Sequence, residues 1–376
     1  MATLNMNILD SYVMMGLWEG LSPVNTFFRD RYFPTGPSDI FKTKKVLVEY
    51  KDGDHGMAPF MMPNADPINV NRAGFEIHDY KPTCIKQSRI LTVDQLDQLG
   101  FGEAILTDKT PEDREASATS EDLEMLERRF TRTEELLCAN TIINNGFSVN
   151  ELAGLKDDGT EIVGNVATVQ YYDPNKGNDG AVTISAGDKL TSSSKYSDLV
   201  KIVRPMCRSL SRRGLPSVDL LVGQDVADLL LDLDDVRKLL DKNSGIIIGD
   251  PIVAELSKYD GVTLLGQLNV SGYRLNLIVV DEQYGVETVN MGVKTVTYYN
   301  YFPAKSICVT APNAGHLMYG GISRMNEQGK IETIAAKRFP DLFVKREKKM
   351  REITLESCPL AAPKNYAPWV YGANAC

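Results

Sequence analysis

The hydrophobic period changes several times along the chain, and each change marks an element. Ile8, Tyr12, Met15 and Trp18 recur at helical spacing, which predicts a short amphipathic helix. Gly16, Gly20, Pro23, Pro34, Gly36 and Pro37 break anything longer, so residues 1–45 read as an arm without a core. Its apolar stripe must then pack on its own protein or on a neighbouring subunit. From Val46 the period falls to two: Val46, Val48 and Tyr50 alternate with Leu47, Glu49 and Lys51, and Asp52-Gly53 supplies a turn. Pro59, Pro63 and Pro67 follow, then a second extended run holding Phe75, Ile77, Tyr80 and Ile85. Proline cannot donate a ladder hydrogen bond, so residues 46–94 are predicted to be an exposed two-stranded loop. A ribbon of that kind covers neither of its faces. Met57, Phe60, Met61, Met62 and Phe75, with Trp18 of the arm, are therefore the expected inter-subunit contacts.

The strongest helical signal runs from Thr119 to Asn145. Thr119 and Asp122 form a Thr-x-x-Asp start, and Glu121, Asp122 and Glu124 sit at the positive end of the dipole. Leu123, Leu126, Phe130 and Leu137 define one apolar face, expected to be buried, and Asn144-Asn145-Gly146 can close the helix. Some 25 residues at 1.5 Å each make a rod of roughly 38 Å, a structural spine. Strand-like runs follow at Ala167–Tyr172 and Ala181–Ser185. From Tyr196 the pattern is mixed: a helix at Asp198–Arg212 kinked by Pro205, a strand at Val218–Val222, and one helix at Asp225–Leu240. Extended runs at Val262–Leu265, Tyr273–Val280, Thr295–Tyr301 and Ser306–Thr310 complete a second compact region that ends near Gly329. Residues from Ile331 onward are extended and finish in a proline-rich run. The fold class is α+β.

Composition removes several functions. The chain has 376 residues, 43% of them apolar, enough for two or three domains with real cores. A net charge of −9 argues against binding nucleic acid through its phosphates. The basic run Lys345 to Arg351 reads as a solvated face or subunit contact. No signal peptide or membrane span is evident, so the reading is a soluble, non-secreted protein. The six cysteines are far apart, without a C-x-x-C pair, and are expected to be reduced thiols rather than zinc ligands. Phosphate-cradling loops, a nucleophile elbow and an H-E-x-x-H motif are all missing. His55, His78 and His316 are scattered, Asp52-Gly53-Asp54-His55 is turn chemistry, and Asp232, Asp234 and Asp235 form an exposed helix face. No catalytic, cofactor-binding or metal-binding residue is expected.

Several stretches, in order, resemble the lambda-type major capsid proteins of tailed bacteriophages. They are Asn25-Thr26-Phe27-Phe28 with Arg31-Tyr32-Phe33-Pro34; Met57-Ala58-Pro59-Phe60 with Pro63; and Tyr80-Lys81-Pro82-Thr83-Cys84-Ile85-Lys86. The helix with Arg128-Arg129 and the closing Glu356-Ser357-Cys358-Pro359-Leu360-Ala361-Ala362-Pro363 continue the series, within a span of about Asn25 to Trp369. The segment Asp157–Lys189 departs from the family as a longer, more polar loop, and residues 196–329 match it only weakly. The resemblance implies the Hong Kong 97 capsid fold, with an N-terminal arm (1–45) and an extended hairpin loop (46–94). A peripheral domain (95–190 with 331–376) would carry the spine helix 119–145, and an α/β axial domain would span 191–330. It further implies pentamers and hexamers of this chain in an icosahedral head around double-stranded DNA, assembled in the bacterial cytoplasm, with no membrane. Portal, scaffold, maturation protease and a decoration protein are the implied partners. An encapsulin-like shell and an oligomeric α/β enzyme with a β-arm stay open as alternatives. A pocket with converging polar groups would favour the enzyme.

Overall fold

The computed structural model describes residues 24, 26–50, 76–93, 111–155, 161–171, 180–242, 251–290, 293–325, 330–345, 347 and 349–376. The expected contacts Trp18, Met57, Phe60, Met61, Met62 and Phe75, and the Asp52–His55 turn, lie outside them. Among the described residues the first helix is α1 (Phe27–Tyr32), followed by strands β1 (Val46–Tyr50) and β2 (Glu76–Tyr80), which pair antiparallel from Val46↔Tyr80 to Tyr50↔Glu76. Phe27, Phe28, Tyr32 and Phe33 are fully buried in the central core, so the expectation of an arm without a core over 1–45 fails for this stretch, whose aromatic side chains pack against the long helix and the sheets. The root of the predicted hairpin is therefore present. Its alternation is too: Val46 and Val48 are buried, whereas Leu47 is 62% exposed.

Strand β3 (Ile85–Thr92) corrects the loop boundary, because residues 85–92 leave the hairpin. They join a three-stranded antiparallel sheet with β16 (Phe339–Lys345) and β17 (Met350–Ser357), in the order β16-β17-β3. This sheet packs on the long helix α2 (Pro111–Asn144), where Ile353 and Leu355 meet Leu123, Leu126 and Phe130. The helix starts eight residues before the expected Thr119, which is buried inside it. Pro111 explains the earlier start, since its fixed φ suits the first helical position and its missing amide proton costs nothing there. The predicted C-terminus holds: Asn145 adopts φ 55° and its side-chain oxygen accepts the Trp369 indole N–H at 2.8 Å. All four predicted spine residues are buried, Leu137 in the central core and the other three against β17. Phe130→Ala is expected to cost about 3–5 kcal/mol through lost burial and the cavity left behind. Urea unfolding of the subunit measures it, and an unchanged midpoint would place the ring in solvent.

An antiparallel hairpin follows, β4 (Gly146–Leu155) with β5 (Glu161–Gln170). The sequence reading missed β4 and started the second strand six residues late. Helix α3 (Tyr196–Arg212) passes through Pro205, which is exposed, so the missing amide bond falls on the solvent side. The single helix expected at 225–240 is two, α4 (Gln224–Asp232) and α5 (Asp234–Lys242). Leu233 between them takes extended geometry (φ −78°, ψ 112°) and turns its side chain into the core. Burial of that leucine outweighs one uninterrupted helix.

A six-stranded sheet organises the rest, in the order β6-β19-β12-β7-β9-β8. Its strands are β6 (Ala181–Thr183), β7 (Asp219–Gly223), β8 (Val262–Val270), β9 (Tyr273–Val280), β12 (Ile307–Thr310) and β19 (Val370–Ala373). Strands β7 and β9 run parallel; Ser271 and Gly272, both at positive φ, make the tight β8–β9 turn. The short helix α6 (Pro251–Leu256) precedes β8. Leu220, Val222, Leu277 and Val279 face a core shared with α3, α4 and α5; Leu221, Ile278 and Val280 face the other core, with α1 and the end of α2. Strand β19 lies in this sheet, whereas residues 331–376 were expected to stay with the spine helix and its sheet. The remaining strands are β10 (Gln283–Asn290), β11 (Val293–Asn300), β13 (Gly315–Tyr319), β14 (Ile322–Met325), β15 (Ile331–Ile334) and β18 (Pro359–Pro363). They form three two-stranded pairs: β10–β11, β14–β15 and β13–β18.

The cysteine expectation also needs correction. Cys84 and Cys358 are joined by a disulfide, 274 residues apart in sequence, while Cys138, Cys207 and Cys308 are free and buried. Sequence distance hid the pair, since only the return of the chain beside β3 brings the two sulfurs together.

Candidate assembly interface

Two buried ion networks hold α1, the long helix and the sheets in fixed relation. Glu135 on α2 is fully buried and accepts the backbone N–H groups of Phe28 (2.6 Å) and Arg29 (3.0 Å), the open amides of α1. On the next turn of chain, Arg31 grips Asp219 with two hydrogen bonds, 2.9 and 3.1 Å, and lies 3.0 Å from Glu255. The Tyr32 hydroxyl and the Asn276 amide each donate to Asp219 as well, both at 3.0 Å. A fully buried carboxylate with four donors is thereby satisfied, and it ties α1 to β7 and β9. The second network centres on Arg338, just before β16. It donates to Glu127 (3.0 Å), Glu134 and Ser357 (3.0 Å), and its guanidinium stands over the rings of Phe130 and Tyr319. The C-terminal strands are thus clamped to α2.

Burial sets the acidity of this region. Desolvation pushes the Glu135 carboxyl up to about 7 against the pull of the Phe28 and Arg29 amides and the Arg29 charge. Glu282, between β9 and β10, is pushed up to about 8 by desolvation first and then by Glu135 and Asp260; one of its oxygens is buried without a hydrogen-bond partner. Both folded values are raised above the ordinary glutamate value, so both groups favour the folded state when protonated. That contribution is complete below pH ~4.5 and is lost as pH rises through about 7 and 8. The unfolding temperature should therefore fall between pH 5 and 8.5, and Glu282→Gln should flatten much of that slope and raise stability at pH 8.5. Thermal scans at four pH values check it; an unchanged slope in the variant would mean that Glu282 is solvated.

Nothing among the described residues reads as a reaction centre. No group of three or more histidines, cysteines and carboxylates is close enough to hold a metal. His78 is exposed and stacks on Tyr80, and His316 lies 3.5 Å from Asp39. An open cleft of about 410 Å³ runs along Arg29, Asp30, Glu127, Tyr319, Lys337 and Arg338, but its carboxylates are engaged by its own arginines. No described helix is long and apolar enough to cross a membrane.

The surface is unusual in another way. Four antiparallel ribbons expose apolar side chains beyond the cores. Hairpin β4–β5 shows Leu152, Ile162, Val163 and Val166, and hairpin β10–β11 shows Val286, Val296, Tyr299 and Tyr298, the last 68% exposed. Pair β14–β15 ends in Met325 and Ile331 (79% exposed), and the tip of β16–β17 exposes Phe343 and Val344. Apolar side chains of this kind, clustered on the outer faces of strands whose inner sides pack on the cores, mark protein contacts. The expected contacts were placed on the arm and loop; these further ribbons were missed, because an exposed apolar residue on a strand is indistinguishable in sequence from a buried one.

Comparison with known proteins agrees with this surface. A protein described as the capsid protein of a prophage of E. coli CFT073 superposes with TM-score 0.59 at 15% identity, covering 99% of each chain. A phage-related protein of Bordetella bronchiseptica RB50 gives 0.47 at 9% identity, covering 98% and 97%. The mature capsid of bacteriophage PhiM1 gives 0.46 at 11%, covering 93% and 87%. The first supports the phage capsid fold; the other two are too distant to add to it. No curated protein sequence matches the chain. The sequence pattern of the family described as phage major capsid protein E matches residues 10–374, nearly the whole length. This chain belongs to the phage major capsid protein E family, and its work is structural, the building of the virion shell.

Proposed function

We propose that this chain is the repeating subunit of pentamers and hexamers that close an icosahedral head around double-stranded DNA. The observation that carries the reading is the set of ribbons whose apolar side chains stay exposed among the described residues, rooted on a core stiffened by the Asp219 and Arg338 networks. Rigid roots with unsatisfied faces suit a part that is completed by its own copies. In this reading residues 191–330 are the axial domain around the five-fold and six-fold axes, and 95–190 with 331–376 are the peripheral domain. Residues 46–94 lie across the neighbour, with Met57, Phe60, Met61, Met62, Phe75 and Trp18 at the contact. A portal, a scaffold and a maturation protease act with it in the host bacterial cytoplasm, with a decoration protein as a further partner. DNA is enclosed without sequence-specific contact. Sedimentation and negative-stain microscopy of the purified protein test the proposal, with rings or closed shells expected. A sharp monomer at every concentration and ionic strength, even with scaffold supplied, would sink it.

A further inference from the structure

Helices α3 and α4 carry stripes of opposite charge that no ion pair among the described residues neutralises, although Asp228 accepts a hydrogen bond from Gln224 at 3.0 Å. Both lie on the same face of the six-stranded sheet, α3 against β12, β19 and β8, and α4 against β7 and β9. The inner side of α3 is apolar, through Leu199, Val203, Met206 and Leu210, so its outer side is fixed toward solvent. There Arg204, Arg208 and Arg212 recur every fourth residue, all exposed, a cation about every 6 Å along one line. None of the three makes an ion pair with a described residue, in contrast to Lys201, which is held by Asp198 at 2.8 Å.

Helix α4 has the mirror arrangement. Val226, Ala227 and Leu230 are buried, and Asp225, Asp228 and Asp232 share the exposed side at steps of three and four residues, about 4.5 and 6 Å along the axis. These three carboxylates also lack an ion pair with a described residue, and Leu231 beside them is 40% exposed. No ion pair among the described residues joins α3 to α4, so the two stripes do not neutralise each other within one subunit.

We propose that the Arg204–Arg208–Arg212 stripe of one copy docks on the Asp225–Asp228–Asp232 stripe of the adjacent copy in a capsomer ring. The inference rests on the ring-forming reading above. A ring needs a heterologous contact, two different patches that fit each other, and this layer supplies both, as stripes of similar length, about 12 and 10.5 Å. Unlike charges at such an interface steer the copies together and fix their register, and like charges brought opposite each other repel them. Phosphates of DNA would also suit a row of arginines. The acidic stripe on the same layer, and the net charge of −9, repel a duplex laid across that layer.

The test is a charge exchange in the full chain, under conditions where the unaltered chain forms shells. Three variants are compared: Arg204→Glu with Arg208→Glu, Asp228→Arg with Asp232→Arg, and all four together. Each two-site variant is expected to stay soluble with native circular dichroism and to lose capsomers and shells at least about tenfold by sedimentation, since repulsion replaces attraction. The four-site variant restores opposite charges across the contact and is expected to recover most of the yield. Shells at normal yield from either two-site variant would overturn the proposal, as would a four-site variant no better than the other two. Normal shells with reduced nuclease-protected DNA in the arginine variant would instead assign the stripe to the genome. If a two-site variant loses its fold, the exchange is repeated with Arg208→Glu and Asp228→Arg alone, read the same way. Failure of the unaltered chain to form rings or shells would defeat the assembly reading itself, a separate outcome.

Discussion

Asp219→Ala should destabilise the subunit by about 3–5 kcal/mol, because it strands a buried cation rather than removing one contact. The Arg31 side chain is 3% exposed and would keep only Glu255, whose side chain is 45% exposed, as a counter-charge. The Tyr32 hydroxyl and the Asn276 amide would lose their acceptor at the same time. Asp219→Asn keeps the shape but cannot accept four donors, so it should also cost stability, though less. Glu255→Ala is the control, and a change within about 1 kcal/mol is expected there, since one partner is solvated. Chemical denaturation of the three variants decides the matter. Equal small losses at both acids would mean that water reaches Asp219 and that α1 is not anchored through it. Because Asp219 ties α1 to β7 and β9, its loosening should also lower shell yield more than global stability alone predicts.

Reducing the Cys84–Cys358 bond should have an effect of similar size. Chain-entropy reasoning for a closed loop of 274 residues gives an upper value of about 5–6 kcal/mol, in the reduced unfolded chain's favour. Native strain and residual structure subtract from that figure. The bond joins the exit of the hairpin loop to the turn between β17 and β18, so it also sets where the loop leaves the body. Cys84 is exposed and Cys358 buried, which leaves one sulfur within reach of reductants. Thermal unfolding with and without a thiol reductant, beside the double variant Cys84→Ser/Cys358→Ser, measures the contribution. Coincident transitions in all three, together with two free thiols at these positions by mass spectrometry, would show that the bond does not form in the protein.

Much of the framework was legible because it depends on local periodicity. The two-residue alternation at Val46–Val48 placed the hairpin root, and the Leu123, Leu126, Phe130 spacing placed the buried face of α2. The buried strands β7 and β9 follow from short apolar runs, β9 with the observed bounds and β7 shifted by one residue. Those signals arise within a few residues of each other, so they survive without tertiary context. The capsid resemblance came from motif order along the chain, and the family match over 10–374 agrees with it.

What the chain could not disclose was decided by partners distant in sequence. Arg31 and Asp219 are 188 residues apart, and Arg338 and Glu134 are 204 apart. No window reveals that these charges are buried together; singly, each looks like a solvated surface residue. The break at Leu233 follows the same logic, since helix propensity favoured one helix and only the sheet below made burial of that leucine worth more. Strand β19 could have paired with either sheet by its residues alone, and β12 and β6 decided it by offering open edges on both sides. Local sequence therefore determined most helices and strands, but not β4, the break at Leu233 or the burial of Phe27, Phe28, Tyr32 and Phe33 in the central core. The tertiary structure decided which sheet each strand joins, which charges are buried and which sulfurs meet, because those choices depend on desolvation and on edges that exist only after the chain has folded.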